Sequence, residues 1–368
     1  MIKETPPKWK IRKELKRFKM QLQAIPEAFY EPFQRRKHDQ AFDAGFPLTD
    51  GDVPAREKVV VLLCYQPNGI AESTLECARR FLSAGYAPLV VSNVALPQSD
   101  IDLLEPVSWK ILTRPNFGYD FGGYRDALKL LFQLEIDLHR VVILNDSVWY
   151  PVRDNDTLIE QLESSRANIT GSILRRDDRS IFLESYLFSF DGPTFHDPVF
   201  RRWWTDELRI TSNKYKVIRR GERGFSHAML AQGRTLSGLY DKALFLHLLS
   251  QQSDEFLDKT VLYATHNKER FEKMRAEVMA LPASSSKRQK LLEYVRTSLN
   301  AGQIYSAFPY AVIKLFDYPM LKKSVDRVSL RSRAAVLRAI DAGDLPMPKD
   351  LVLNEIRARV LEISEDEL

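Results

Sequence analysis

Short apolar runs, each followed by a helical pattern, constrain this chain more than any other feature. Val59-Val60-Val61-Leu62-Leu63, within Lys58 to Tyr65, is followed by Pro88 to Ser92, Trp109 to Leu112 and Arg140 to Leu144. Each run is short for a helix and most are rich in β-branched residues, so they read as strands buried on both faces. Gln66-Pro67-Asn68-Gly69 turns the chain after the first run. Ile70 to Ser83 then has Leu75, Ala78, Phe81 and Leu82 on one helical face, closed by Gly85. A short helix is expected around Asp100 to Leu104. Strands alternating with helices predict an α/β fold with a mainly parallel, doubly wound sheet, which binds ligands beyond the carboxyl ends of its strands.

Two of those ends carry the residues of interest. After the third strand comes Asn116-Phe117-Gly118-Tyr119-Asp120-Phe121-Gly122-Gly123-Tyr124-Arg125-Asp126, and the fourth stops at Asn145-Asp146-Ser147. Glycines close together let a backbone approach a ligand, and the helix that follows offers unpaired N–H groups, so this corner suits a pyrophosphate. An amide, an acid and a hydroxyl at the next strand end suit a divalent cation or sugar hydroxyls. Together they read as a nucleotide-sugar site. Asn116, Gly118, Asp120, Tyr124 and Arg125 are expected to meet the donor, with Arg114 and Arg125 neutralising phosphate. Tyr65 and Asn68 are placed for the nucleobase or ribose, or are ordinary turn chemistry. Arg175 and Arg176, with Arg219 and Arg220, make the rim basic, unless each is a solvated surface charge.

Beyond Ser147 the alternation continues with a helix from Thr157 to Ser164 and a strand from Ile169 to Leu174. Ser185 to Phe190 alternates polar and apolar as a half-exposed strand does. An aromatic-rich helix near Phe200, Trp203 and Trp204 precedes a basic loop, Lys214 to Arg223, and a helix from about Phe225 to Gln232. Past Tyr240 the pattern is helical. The expected organisation is an arm and irregular linker over 1–57, a catalytic domain over 58–250 and a helical appendage over 251–368.

The net charge of +5 is concentrated near the start of the chain. Over 8–25, Ile11, Leu15, Phe18, Leu22 and Ile25 form one helical stripe edged by basic side chains, a helix able to lie on an anionic membrane or to pack on its own domain. Cys64 and Cys77 have no metal or disulfide spacing and read as small buried hydrophobes. The six histidines include no zinc motif. No apolar run is long enough to span a bilayer, and the expected location is the cytoplasm. A nucleic-acid-binding protein is the competing class for a basic chain with interleaved aromatics. No helix-turn-helix or RNP-like pattern supports it, and no nucleic-acid partner is expected.

The order Tyr65, Asn116-x-Gly118-x-Asp120, Asn145-Asp146-Ser147 and Gly221-Glu222-Arg223-Gly224-Phe225-Ser226, with Gly233 behind it, resembles a GT-A glycosyltransferase. It most closely resembles the rhamnan-synthesis protein F group. Leu144-Asn145-Asp146-Ser147-Val148-x-x-Pro151 and Ser185-Tyr186-Leu187-Phe188 are the nearest local matches, and Tyr318-Pro319-Met320-Leu321-Lys322-Lys323 is similar to a late motif of that group. The resemblance spans roughly residues 58 to 325. It implies a GT-A type, Rossmann-like mixed sheet flanked by helices, a nucleotide-diphosphate sugar donor with rhamnose favoured, and a lipid-linked glycan acceptor. Asp146 then stands where such folds carry their metal-binding acid, for Mg2+ or Mn2+, although here the motif has a single carboxylate. Glu222 stands where the acceptor-deprotonating base is placed, with Asn145 and Ser147 lining the donor. Alternative roles are a turn cap for Asp146, a helix-start acid for Glu222, and His227 as a base one turn on. A transferase-like scaffold without activity is the third overall reading.

Overall fold

The computed structural model describes residues 29–177 and 180–361; the stripe over 8–25 lies outside them. Helix α1 runs through 29–43, and strand β1 is Leu48–Asp50. The central layer continues with β2 (Lys58–Cys64), β3 (Ala87–Ser92), β4 (Lys110–Thr113) and β5 (Arg140–Asn145). A two-residue strand, β6 (Val148–Trp149), lies outside the main sheet. It is followed by β7 (Ile169–Gly171), the β8–β9 hairpin (Leu174–Asp177 and Ser180–Leu183), β10 (Leu187–Asp191) and β11 (Leu236–Gly238). The sheet order is β1-β4-β3-β2-β5-β10-β7-β11. All strands of this sheet run the same way except β1 and β10, so the fold is the mixed, mainly parallel α/β sheet that was expected.

Strand periodicity explains why β2 sits at the centre. Successive side chains point to opposite faces. Val60, Leu62 and Cys64 enter one hydrophobic core while Val59, Val61 and Leu63 enter the other. Both faces are covered, on one side by α2 (Glu72–Ser83) and on the other by α3, the helix Tyr119–Gln133. The first core also takes in Leu249, Leu257, Tyr294, Val312 and Val336, so the helices after Tyr240 share it with the sheet. Cys64 and Cys77 are buried there without a disulfide, and burial pushes both thiols up.

Two expectations need correction. Residues 29–43, read as irregular linker on account of Pro32, are helical. Pro32 lies near the start of the described helix, where a missing N–H matters least, and the inward side of α1 is fixed by His38 and Asp39 bonding Asp126 and Arg125 of α3. The strand at 187–191 is not half-exposed: Leu187, Phe188, Ser189 and Phe190 are all buried. Ser189 is satisfied by the Arg140 guanidinium at 3.0 Å, which is how a polar residue occupies a fully covered strand.

Candidate active site

β2 and β5 are parallel neighbours, with Leu62 opposite Leu144 and Leu63 opposite Asn145. Their ends therefore open side by side. The Asp146 N–H donates to the Leu63 carbonyl at 2.9 Å, and its carboxylate accepts from the Tyr65 N–H at 2.8 Å and the Gln66 amide at 3.2 Å. The acid is thus tied to the end of the neighbouring strand. Gln66 was missed by sequence reasoning; it also holds Thr74 and the Ala71 N–H, joining the turn to α2. Tyr65 is 53% exposed beside this acid, an aromatic ring open to a ligand. Asn68, in the same turn, is exposed, as is Asn116.

Asn145 turns the other way. Its amide donates to the Tyr124 hydroxyl at 2.9 Å and to Asp120 at 3.2 Å, while its oxygen accepts from the Ser147 hydroxyl and N–H. The Tyr124 hydroxyl donates to the Ser185 carbonyl at 2.8 Å, and the Ser185 N–H and hydroxyl both donate to Glu222, at 3.2 and 2.5 Å. A continuous hydrogen-bonded path therefore runs Asn145, Tyr124, Ser185, Glu222, and Asp146 follows Asn145 in the chain. Glu222 stands in a short π-helical segment, Arg219–Arg223, a widened turn of the kind found at functional sites. A Cβ on Gly221 would lie 2.2 Å from the Phe121 ring, so only glycine lets this segment rest on α3 and present Glu222 inward.

Asp120 lies in the field of both acids. Solvent reaches it, yet protein surrounds it, and burial together with Asp146 and Glu222 raises its pKa against the opposing pull of Lys214 and Lys322. Lys322 comes from the helical region. It belongs to β12 (Leu321–Lys322), which pairs antiparallel with β6 directly after the Asp146 loop, and its ammonium sits 3.5 Å from the centre of the Tyr186 ring. Burial lowers its pKa to about 8, with Glu184, Glu222 and Asp120 pulling the other way. The span assigned to the catalytic part stops short of it; the only sequence signal was the late Tyr318 to Lys323 similarity.

The glycine corner works differently from expectation. A Cβ at Gly118 would meet Ile210 at 2.9 Å, at Gly122 the Phe117 carbonyl at 2.0 Å, and at Gly123 the Leu63 side chain at 2.3 Å. The room these glycines give is filled by protein, so they dock α3 against β2 and the Ile210 loop. Gly118 also needs its freedom at φ 80. The two arginines expected at phosphate lie in the interior. Arg125 donates to Asp39 and to the Trp204 and Thr205 carbonyls; Arg114 donates to Asp126, Asn93 and the Phe117 carbonyl. Both are 2% exposed with their donors committed, and neither meets a donor diphosphate. Of the rim arginines, Arg220 bonds Glu31 of α1 and Arg175 bonds Glu184. His227 is exposed on the helix Gly224–Ala231.

Comparison with known proteins bears on what this cluster of residues belongs to. Residues 89–297, more than half of the chain, match the model for rhamnan synthesis protein F. The chain belongs to that family. A relative, the uncharacterized protein y4gN of Sinorhizobium fredii, is 26% identical over 354 residues, covering 90% of this chain and 89% of its own length. Among solved structures, the chain is similar to a mannosyltransferase from Pyrobaculum calidifontis in complex with GDP-Man and Mn2+, at 12% identity and TM-score 0.29, over 94% of this chain and 92% of that one. It is also similar to S. aureus TarS 1–349 in complex with UDP-GlcNAc, at 12% identity and TM-score 0.31, over 83% and 89%. The family's matched span takes in Asn116 to Asp126, Asn145 to Ser147, Ser185 and Glu222, and ends before Lys322.

Metal-binding capacity follows from the side chains themselves. Among the described residues no three His, Cys, Asp or Glu gather as a metal site. Asp146 has one oxygen engaged by Tyr65 and Gln66, while no hydrogen bond to its other oxygen is made among the described residues.

Proposed function

We propose that this protein is a nucleotide-sugar glycosyltransferase of the inverting kind. Asp146 anchors the donor diphosphate side and Glu222 is the base; the donor lies between them, with Tyr65 against the nucleobase and Asn68, Asn116, Asp120, Asn145 and Ser147 around it, while Gly118 and Tyr124, both buried, support these residues from behind. The observation that carries this reading is the Tyr124 hydroxyl, which bonds Asn145 on one side and the Ser185 carbonyl on the other and so links the Asp146 loop to Glu222. Glu222 takes the proton of an acceptor hydroxyl as that oxygen bonds the anomeric carbon, and the nucleoside diphosphate leaves with the bonding electron pair. Two hydrogen bonds from Ser185 hold the carboxylate in place. Asp146 would hold a Mg2+ or Mn2+ bound together with the diphosphate, where the cation offsets charge on the leaving group. Family membership favours rhamnose as the sugar and a growing cell-surface polysaccharide as acceptor.

The acceptor is lipid-linked in this reading, and the enzyme works at the cytoplasmic face of the membrane. Phe29 and Phe33 support this: they lie one turn apart on the outward face of α1, 84% and 75% exposed, followed by exposed Arg36 and Lys37. Aromatic residues beside cations suit an interfacial helix. Among the described residues no helix is long and apolar enough to cross a membrane.

Nucleotide sugars assayed for binding and hydrolysis with Mg2+, Mn2+ or EDTA test the assignment. Asp146→Ala is expected to abolish donor binding. Glu222→Gln retains donor binding and lowers transfer by about 10²–10⁴-fold. Transfer at the normal rate by Glu222→Gln would remove Glu222 as the base.

A further inference from the structure

Lys322 ends β12 and Lys323 follows it, and their ammonium groups go to different neighbours, Tyr186 and Ser73. Lys323 is buried and accounted for: its ammonium donates to the Ser73 hydroxyl at 3.0 Å and lies 5.5 Å from the centre of the Trp149 ring. Lys322 is different. Its ammonium lies over Tyr186 and, among the described residues, has no hydrogen bond or ion pair. Acids are near enough to feel its charge, yet each is engaged elsewhere. Asp120 accepts from Asn145, Glu222 from Ser185, and Glu184 from Arg175 and Tyr305. A largely desolvated ammonium normally finds a partner, because leaving its donors unmade is costly. Here the protein supplies acids and holds them back.

We propose that Lys322 is the chain's own cation for the diphosphate of the nucleotide donor, contacting the phosphate that departs with the electron pair; this rests on the transferase reading above. The placement fits. β12 is hydrogen-bonded to β6, two residues beyond Asp146, and the Lys323 N–H donates to the Ser147 carbonyl at 2.8 Å. The ammonium stands close enough to Asp120 and Glu222 to feel their charge, and Asp120 in turn feels Asp146. Its role is complementary to theirs: carboxylates suit sugar hydroxyls or a cation, while an ammonium suits phosphate oxygens directly. The Tyr186 face steadies the cation without consuming a donor, so its N–H groups stay available.

The test is calorimetric binding of UDP, GDP and dTDP, and of the matching monophosphates, to the full chain with Mg2+ and with EDTA. Lys322→Met is expected to weaken the preferred diphosphate about ten- to a hundredfold, the loss of one charge-assisted hydrogen bond, while monophosphate affinity changes by less than about threefold. The monophosphate, bound by the same folded protein, controls for misfolding. Lys322→Arg should recover most of the lost affinity. Diphosphate binding by Lys322→Met within about twofold of wild type would overturn the Lys322 assignment and leave the transferase reading standing. Failure of wild type to bind any of the diphosphates would bring down that reading, and this assignment with it.

Discussion

Two sets of cations near α3 behave in opposite ways. Behind the helix, Arg114 and Arg125 meet Asp126, Asp39, Asn93 and three carbonyls, and His38 closes the set at 2.8 Å from Asp126. Lys322, by contrast, has among the described residues the face of an aromatic ring and no hydrogen bond or ion pair. Burial favours the neutral form of Asp126, but Arg114 and His38 outweigh it and hold the acid below the usual carboxylate range. The lesson concerns what satisfaction means. A charge whose every donor is met stabilises architecture; a charge left unmet inside a cleft costs stability and is kept for something that arrives from outside.

The comparison breaks most sharply at Asp126. Asp126→Ala leaves Arg114 and His38 buried without their acid and is expected to cost about 3–5 kcal/mol, read as a lower urea midpoint. An Asp126→Ala protein as stable as wild type would mean that the set behind α3 is not structural.

Lys322→Met should act in the reverse direction, raising stability by about 1–3 kcal/mol near neutral pH because a half-buried charge surrounded by protein is removed. The pH dependence has a definite sign. The native pKa of about 8 lies below the ordinary 10.5, with Asp120, Glu184, Glu222 and Arg175 as the charged neighbours. The unfolded chain therefore holds more protons between those values, and wild-type stability rises with pH across that window. Unfolding of wild type and variant from pH 7 to 10.5 should show the gap closing; a constant gap would contradict it.

His266 gives a comparable, acid-side contrast within the helical region. It packs against Phe271, Tyr294 and Phe308, its Nε2 has no partner, and burial with nearby Arg275 lowers its pKa to about 4. Unlike Lys322 it is neutral at pH 7, so its penalty is deferred. The unfolded chain takes up the proton first as pH falls from 6.5 toward 4, and stability declines there by about 1–3 kcal/mol. His266→Phe should flatten that part of the curve, a small effect measurable by denaturation in acid.

Much of the fold was legible because β2, β3 and β5 write their burial into consecutive apolar residues. Asp146 and Glu222 were legible as candidates because strand ends and glycine-led turns mark themselves. What stayed hidden was non-local. Nothing near Arg125 says that its partners are Asp39 and two carbonyls some 80 residues on. Gly118, Gly122 and Gly123 look alike whether they admit a ligand or a neighbouring helix, and only the position of Leu63 and Ile210 decides. Lys322 enters through a two-residue strand, too short to leave a periodic signature.

That short clasp between Val148–Trp149 and Leu321–Lys322 also sets an order of assembly. A chain emerging from the ribosome has its acids, its aromatic shelf and its sheet long before residue 322 arrives. On the assignment made for Lys322, full affinity for the donor waits on a segment made late in synthesis. A product cut short before Leu321 would carry the pieces of the cleft without the charge that closes it.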